Sequence, residues 1–260
     1  MINQSVNEFH TQLAAGALAR PPDTRTAPDG VRLCNGILLS IPDNEYDVVH
    51  PHLRQVGLSL GQNLYDPLER LRYGYFVNEG IVSLFVVSAE ARSVEVATVG
   101  KEGFVGAPLA AGINRSPYHA WARTPGVGLG VRADVLQGIL PGTPTLTHLL
   151  NRYAQVQCLQ VMQLAACNRL HKIEQRLALW LLMNQDRVDS SVLPLTHNYL
   201  AQMLGTGRPS ISIAANILRA AGTIRYARGN VTILNRKSLR KAACDCYTVI
   251  HHLNEELGVK

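Results

Sequence analysis

No apolar run in the 260 residues approaches the roughly 18–20 that a membrane-spanning helix needs, so no membrane partner is expected. The opening stretch, MINQSVNEFHTQLAAGALARPP, lacks the basic start and long apolar core of a secretion leader. Cysteine is scarce and odd in number, with Cys34, Cys158, Cys167, Cys244 and Cys246 the full set. Reduced thiols in a cytoplasm are therefore expected, not a disulfide framework. Missing too are a Ser-His-Asp order, a Gly-rich loop to cradle phosphate, and a recognisable metal-ligand spacing. These absences argue against an enzyme and imply neither cofactor nor metal. His50 and His52 flank Pro51 without the other ligands of a metal or haem site and are read as surface residues. Cys244-Asp245-Cys246 has no partner pair and is read as part of an ordinary helix end.

Acidic residues are depleted in one region. Residues 190–260 hold nine Lys or Arg against Asp245, Glu255 and Glu256, which accounts for the entire net charge of +6. A basic C-terminal third on a neutral body is the footprint of a polyanion partner. At 47% hydrophobic residues the chain can bury one large core or two ordinary ones.

The most informative stretch is Leu193–Leu234, LPLTHNYLAQMLGTGRPSISIAANILRAAGTIRYARGNVTIL. Thr196 is an N-cap candidate, and Leu200, Met203 and Leu204 at helical spacing give a short helix one buried face. Gly205-Thr206-Gly207 breaks that helix. A second begins near Arg208-Pro209, where proline is tolerated because first-turn N–H groups have no intrahelical partner. Its inner face is Ile211, Ala214, Ala215, Ile217 and Leu218; its outer face offers Arg208, Ser210, Ser212 and Asn216. Gly222 closes it, and Thr223–Tyr226 and Val231–Leu234 form a hairpin that carries Arg225 and Arg228. A second helix of this kind can enter the major groove, where arginine reads guanine, asparagine reads adenine and serine serves either role. The expected partner is double-stranded DNA.

Upstream, residues 36–133 read as short strands: Gly36–Ile41, Gln55–Leu60, Tyr73–Val77, Ile81–Ser88, Ser93–Val99, Tyr118–Ala122 and Val127–Val131. Asn78-Glu79-Gly80 and Glu90-Ala91-Arg92 serve as hairpin-like connections. Such spacing suggests a β-roll or barrel-like sandwich. Residues 1–35, rich in Ala, Arg, Pro, Asp and Gly, read as a mobile tail with a short helix at Val6–Ala19.

Residues 144–169 form a long helix with Leu149, Tyr153, Val156, Leu159 and Met162 along an apolar seam. A seam of this length needs a second surface, and another copy of the chain is the economical choice. Gln157, Gln160 and Gln163 are placed to fix register across that interface, and Cys158 and Cys167 are read as seam or core thiols. His171–Asp189 is a further helix beneath the helix-turn-helix, with Asn168–Leu170 as hinge. Arg236–His252 is a closing helix.

LTHNYLAQMLGTGRPSISIAANILRAAGTIRY with its hairpin resembles the C-terminal winged helix-turn-helix of the Crp/Fnr transcriptional regulators. GIVSLFVVSAEARSVEVATVGKEGFVG resembles their sensor β-roll. The resemblance covers about residues 36–250 and implies an α+β fold: an N-terminal β-roll (a double-stranded β-helix, jelly-roll-like), a long dimerisation helix and a C-terminal winged helix-turn-helix. The implied division is a tail at 1–35, a cyclic-nucleotide-binding-like sensor at 36–143, the dimerisation helix at 144–169 and the DNA-binding domain at 170–260. It also implies a homodimer on a two-fold-symmetric site, with RNA polymerase as a further partner. Lack of cysteine before Cys34 removes the cluster that oxygen-sensing members use for an iron–sulfur centre.

Gly100–Thr124 occupies the family's phosphate-binding cassette. Cyclic-nucleotide-binding members have a Gly-Glu pair for the ribose and an Arg-Ser or Arg-Thr pair for the phosphate. This chain has Gly106-Ala107 and Tyr118-His119 at those places, with Arg115-Ser116 three residues earlier. Loss of the carboxylate and of the arginine removes the partners of a buried nucleotide. These six residues are the candidate effector pocket, and regulation without cyclic nucleotide is the expectation; the alternative is a cyclic-nucleotide-responsive sensor. In the recognition helix, Arg208 falls on the family's base-contacting arginine. Pro209 and Ile213 replace a glutamate and a basic residue, so the family's common half-site cannot be assumed.

Overall fold

The computed structural model describes residues 25–90, 93–116, 118–188 and 190–258. Among the described residues the first half contains eight strands: β1 (Arg54–Leu58), β2 (Asn63–Tyr65), β3 (Tyr73–Glu79), β4 (Val82–Val87), β5 (Ser93–Val99), β6 (Phe104–Val105), β7 (His119–Ala122) and β8 (Gly126–Arg132). They divide into two antiparallel sheets of order β1-β8-β3-β6 and β2-β7-β4-β5. Phe76, Leu129 and Val131 from one sheet and Val82, Leu84 and Ala120 from the other share one core. The expected strand Ser93–Val99 is β5 end to end, although its burial does not alternate: its first four residues are half-buried and its last three buried.

Three expectations fail locally. Gly36–Ile41 is not a strand but helix α1 (Gly36–Ser40). Asn35 decides this: buried, its carboxamide oxygen accepts from the Leu38 N–H while its amide donates to the Val77 and Gly103 carbonyls at 2.8 and 2.9 Å. Residues 25–35 are anchored, not a loose tail, because Arg25 donates to the Leu38 and Ile41 carbonyls and Ala27 and Leu33 are buried. The Val6–Ala19 helix lies outside the described residues. Asn78-Glu79-Gly80 joins no hairpin, since β3 and β4 belong to different sheets; Gly80, at φ +86°, turns the chain from one sheet to the other. The β4–β5 connection does close a hairpin, with Val87 opposite Ser93.

Helices α2 (Asp43–Val49) and α3 (Ala133–Ile139) flank the strands, and α4 (Pro144–Leu170) follows. Buried Glu45 of α2 accepts from the Thr145 and Leu146 N–H groups, both at 2.9 Å, so a carboxylate sits where the helix dipole favours it. Helix α4 packs its first half against the β-roll core, and Leu149, Tyr153 and Val156 are buried within the protomer. They are therefore not the free seam expected of them. The exposed side of α4 carries Leu159 and Met162, flanked by Gln155, Cys158, Ala165 and Ala166. The three glutamines also turn inward: Gln157 donates to the Tyr153 hydroxyl, Gln160 to Asn254 and Gln163 to the Cys246 sulfur.

Helix α4 runs through the expected Asn168–Leu170 hinge, and the break comes at His171-Lys172. Beyond it are α5 (Ile173–Gln185), β9 (Val192–Pro194), α6 (His197–Met203), α7 (Arg208–Ala220), β10 (Ile224–Ala227), β11 (Asn230–Ile233), α8 (Arg236–Ala242) and α9 (Cys246–Glu256). The closing segment is thus two helices, parted where Ala243 turns extended. Leu177, Leu181, Leu200, Ile211, Leu218, Val231 and Ile250 share a second core. No helix among the described residues is long and apolar enough to cross a membrane.

Candidate nucleic-acid interface

Each boundary of the α6–α7 pair has a local cause. Thr196 accepts from the Tyr199 N–H through its hydroxyl at 3.2 Å and caps α6. Gly205 takes a left-handed backbone at φ +59°, and Pro209 sits in the first turn of α7. Ile211, Ala214, Ala215 and Leu218 face the core as expected. Ile217 does not: it is 47% exposed and joins Ile213, 62% exposed, on the outward side with Arg208, Pro209 and Asn216. Ser210 is half-buried. Ser212 is occupied within the protein, donating to the Arg208 carbonyl and lying 3.0 Å from His197 Nδ1.

His197 was not singled out from the sequence, yet it joins three elements. From the first turn of α6 its ring stacks on Tyr226 of β10 at 4.1 Å between centroids, while Nδ1 reaches Ser212 of α7. Burial, and next the Arg208 charge, lower its pKa from the ordinary value. The hairpin turns at Arg228-Gly229, both with positive φ, and Ala227 pairs with Asn230. That is a two-residue turn of the type that suits the twist of the strands. Arg225 and Arg228 are exposed beside it. The added strand β9 pairs with β11 and ties the hairpin to the helices.

The surface is held against the β-roll by a buried polar cluster. Glu95 of β5 accepts from the Trp180 indole N–H at 2.6 Å and the Ser83 hydroxyl at 2.5 Å, with Arg123 3.6 Å away. Arg123 donates to Asn184 and lies over the Trp180 ring. Burial pushes the Glu95 carboxyl up and the Arg123 guanidinium down, against the attraction between them. Nearby, Arg187 pairs with Glu102 at 2.8 Å. Gln202 of α6 donates to Ser93 of β5 at 2.5 Å. A Cβ on Gly205 would meet Val94 at 3.1 Å. One strand of the β-roll thus touches both α5 and the helix-turn-helix.

The six cassette residues do not converge on one open site. Gly106, at φ +102°, starts a 3-10 turn that buries Ala107. Arg115 donates to the Leu68 carbonyl at 2.6 Å. Ser116 is buried and accepts from the Tyr118 N–H. Tyr118 packs on the core beside Tyr65. His119 stacks on Phe85 and meets Asp66 at 3.0 Å.

Cys244 and Cys246 acquire partners that no sequence spacing announced. Cys167 and His171, one turn apart at the end of α4, bring Sγ and ring nitrogen atoms to within 4.8 Å of theirs. The signal was non-local: Cys167 and Cys244 lie 77 positions apart.

A winged helix-turn-helix behind a cyclic-nucleotide-binding-like β-roll and a long helix defines the class. Residues 175–242 match the Crp-like helix-turn-helix domain. Three solved structures of low identity share the fold. The c-di-GMP-responsive global regulator CLP of Xanthomonas campestris has TM-score 0.63 and 16% identity, covering 74% of this chain and 99% of that one. A CRP-family transcriptional regulator from Thermus thermophilus gives 0.62 and 21%, covering 72% and 96%. A protein from Eubacterium rectale described as a Crp/Fnr-family regulator gives 0.64 and 17%, covering 78% and 94%. No curated protein matches the chain. Residues 175–242 therefore carry a Crp-like helix-turn-helix domain, and the chain as a whole shares the fold of Crp/Fnr-type regulators.

Proposed function

We propose that the chain is a homodimeric, sequence-specific regulator that binds a two-fold-symmetric DNA site without cyclic nucleotide. The observation that carries this is the outward face of α7, where Arg208, Pro209, Ile213, Asn216 and Ile217 stand exposed beside Arg225 and Arg228 of the wing. Arg208 and Asn216 supply hydrogen-bonding readout, Ser210 a hydroxyl at the first turn, and the two isoleucines apolar contact with thymine methyl groups. Arg225 and Arg228 supply phosphate contacts. Exposed Thr196 lies at the start of α6, the helix that crosses the backbone in this mode of docking. Two chains meeting along the exposed Leu159 and Met162 stripe present two such faces to successive major grooves, roughly 34–36 Å apart. RNA polymerase is the partner such a dimer would address.

Independence from cyclic nucleotide rests on the cassette. Its arginine is engaged with a backbone carbonyl, its serine is buried, and Tyr118 packs into the core. Selection of random duplexes on the purified protein, without ligand and at two salt concentrations, tests the reading. A two-fold-symmetric consensus is expected. Binding that falls steeply with salt and shows no consensus until a cyclic nucleotide is added would replace it with the ligand-switched alternative.

A further inference from the structure

We propose that Cys167, His171, Cys244 and Cys246 form a tetrahedral site for a thiophilic divalent cation, Zn2+ by ligand chemistry, which clamps the end of α4 to the start of α9. Three thiols and an imidazole are a donor set that zinc takes in closed structural sites. The spacing fits as well as the chemistry. Metal–sulfur bonds of about 2.3 Å and metal–nitrogen bonds of about 2.0–2.1 Å set tetrahedral ligand atoms roughly 3.5–3.8 Å apart. Cys167 Sγ and Cys244 Sγ are 3.5 Å apart, and Cys246 Sγ and His171 Nδ1 are also 3.5 Å apart. All four donor atoms lie within 4.8 Å of one another.

The surroundings complete a site. With Nδ1 turned to the sulfurs, His171 Nε2 faces exposed Asp245 at 3.4 Å. A carboxylate on the second ring nitrogen fixes the tautomer of a ligating histidine and raises its basicity. Gln163 donates to Cys246 Sγ at 3.1 Å, so that sulfur already accepts as a thiolate would. Three thiolates and one divalent ion carry a net charge of −1, and the guanidinium of Arg176 lies close enough to Cys167 and Cys244 to interact with their charge. Arg176 Nε is buried without a hydrogen-bond partner. On binding, three S–H bonds break, three metal–sulfur bonds form, and the three protons leave to solvent. No electron is exchanged.

Position gives the site a role. Cys167 lies in the last turn of α4 and His171 caps it, beside the break at His171-Lys172, while Cys244 lies between α8 and α9 and Cys246 opens α9. An ion there fixes the joint across which the dimerisation helix passes into the DNA-reading half. Cys34 and Cys158 stand outside the cluster and serve as controls.

The test uses the full-length chain purified without chelator. Plasma mass spectrometry is expected to find one equivalent of zinc per chain, kept in Cys34→Ser/Cys158→Ser and lost in Cys244→Ser/Cys246→Ser. Cobalt added to the metal-stripped protein should give the intense visible bands of a tetrahedral ion with thiolate charge transfer in the near ultraviolet. Asp245→Asn changes only an exposed side chain, so it stays folded even where the double serine variant does not. It should weaken zinc affinity roughly 10–100-fold. Cobalt bound without thiolate charge transfer would overturn the proposal. So would metal retained in a folded Cys244→Ser/Cys246→Ser variant, or a metal-free protein whose mass shows Cys167 and Cys244 joined as a disulfide.

Discussion

Replacing Arg208 by alanine should weaken binding to the selected consensus by about 1–3 kcal/mol and relax one base position, leaving non-specific binding nearly unchanged. Fluorescence anisotropy on consensus and scrambled duplexes separates the two; equal losses on both would reduce Arg208 to a phosphate contact. His197 makes a different kind of prediction. Its folded pKa lies below the ordinary value, through burial first and Arg208 second. Under these conditions the unfolded chain binds a proton that the folded chain resists, so stability falls as pH drops through about 6.5 toward the folded value. Urea midpoints of the wild type should therefore decline more steeply from about pH 7 to pH 5.5 than those of His197→Gln; parallel curves would remove His197 from the balance. The difference between Arg208 and His197 also marks what the sequence carries at this scale. Arg208 announces itself through neighbours on its own helix, whereas His197 matters because α6, α7 and β10 meet at its ring.

Elements with local punctuation were legible. Thr196, Gly205 and Pro209 bound α6 and α7, and Gly229 closes the wing; all four act within a turn or two of chain. The α1 segment was not, because a short apolar run fits strand or helix alike and the deciding cap, Asn35, is held by carbonyls of Val77 and Gly103 far along the chain. The same limit hid β9, which exists only as a partner of β11. Strand β5 was read correctly, but not what it touches. Glu95→Ala would strand the Arg123 guanidinium in the interface between β-roll and α5. The expected cost is about 3–5 kcal/mol, measured by denaturant unfolding. In a Trp121→Phe background the Trp180 emission should shift to the red as that interface loosens. An unchanged spectrum and midpoint would mean the cluster does not hold the two halves together.

For the whole molecule, the order of parts is readable along the chain, but not which side of the long helix is already taken. Apolar residues recur around α4, and only the fold shows that Leu149, Tyr153 and Val156 are buried against the β-roll while Leu159 and Met162 remain outward. The two sets should therefore behave oppositely. Met162→Glu should leave the circular dichroism spectrum unchanged, yield monomers in sedimentation velocity and abolish binding to a two-fold-symmetric duplex. Val156→Ala should lower stability and leave the subunit count alone. A Met162→Glu protein that stays dimeric would place the seam elsewhere.

Strand β5 offers Ser93 to the helix-turn-helix and Glu95 to the helix beneath it. Energetic coupling through a shared element has no preferred direction. A molecule that repositions β5 from the β-roll side changes how readily α7 meets its DNA site, and that site, once engaged, changes by the same factor how tightly the molecule is held. On the proposed function, the DNA site would itself act as an effector, and its occupancy should be readable as altered hydrogen exchange along β5.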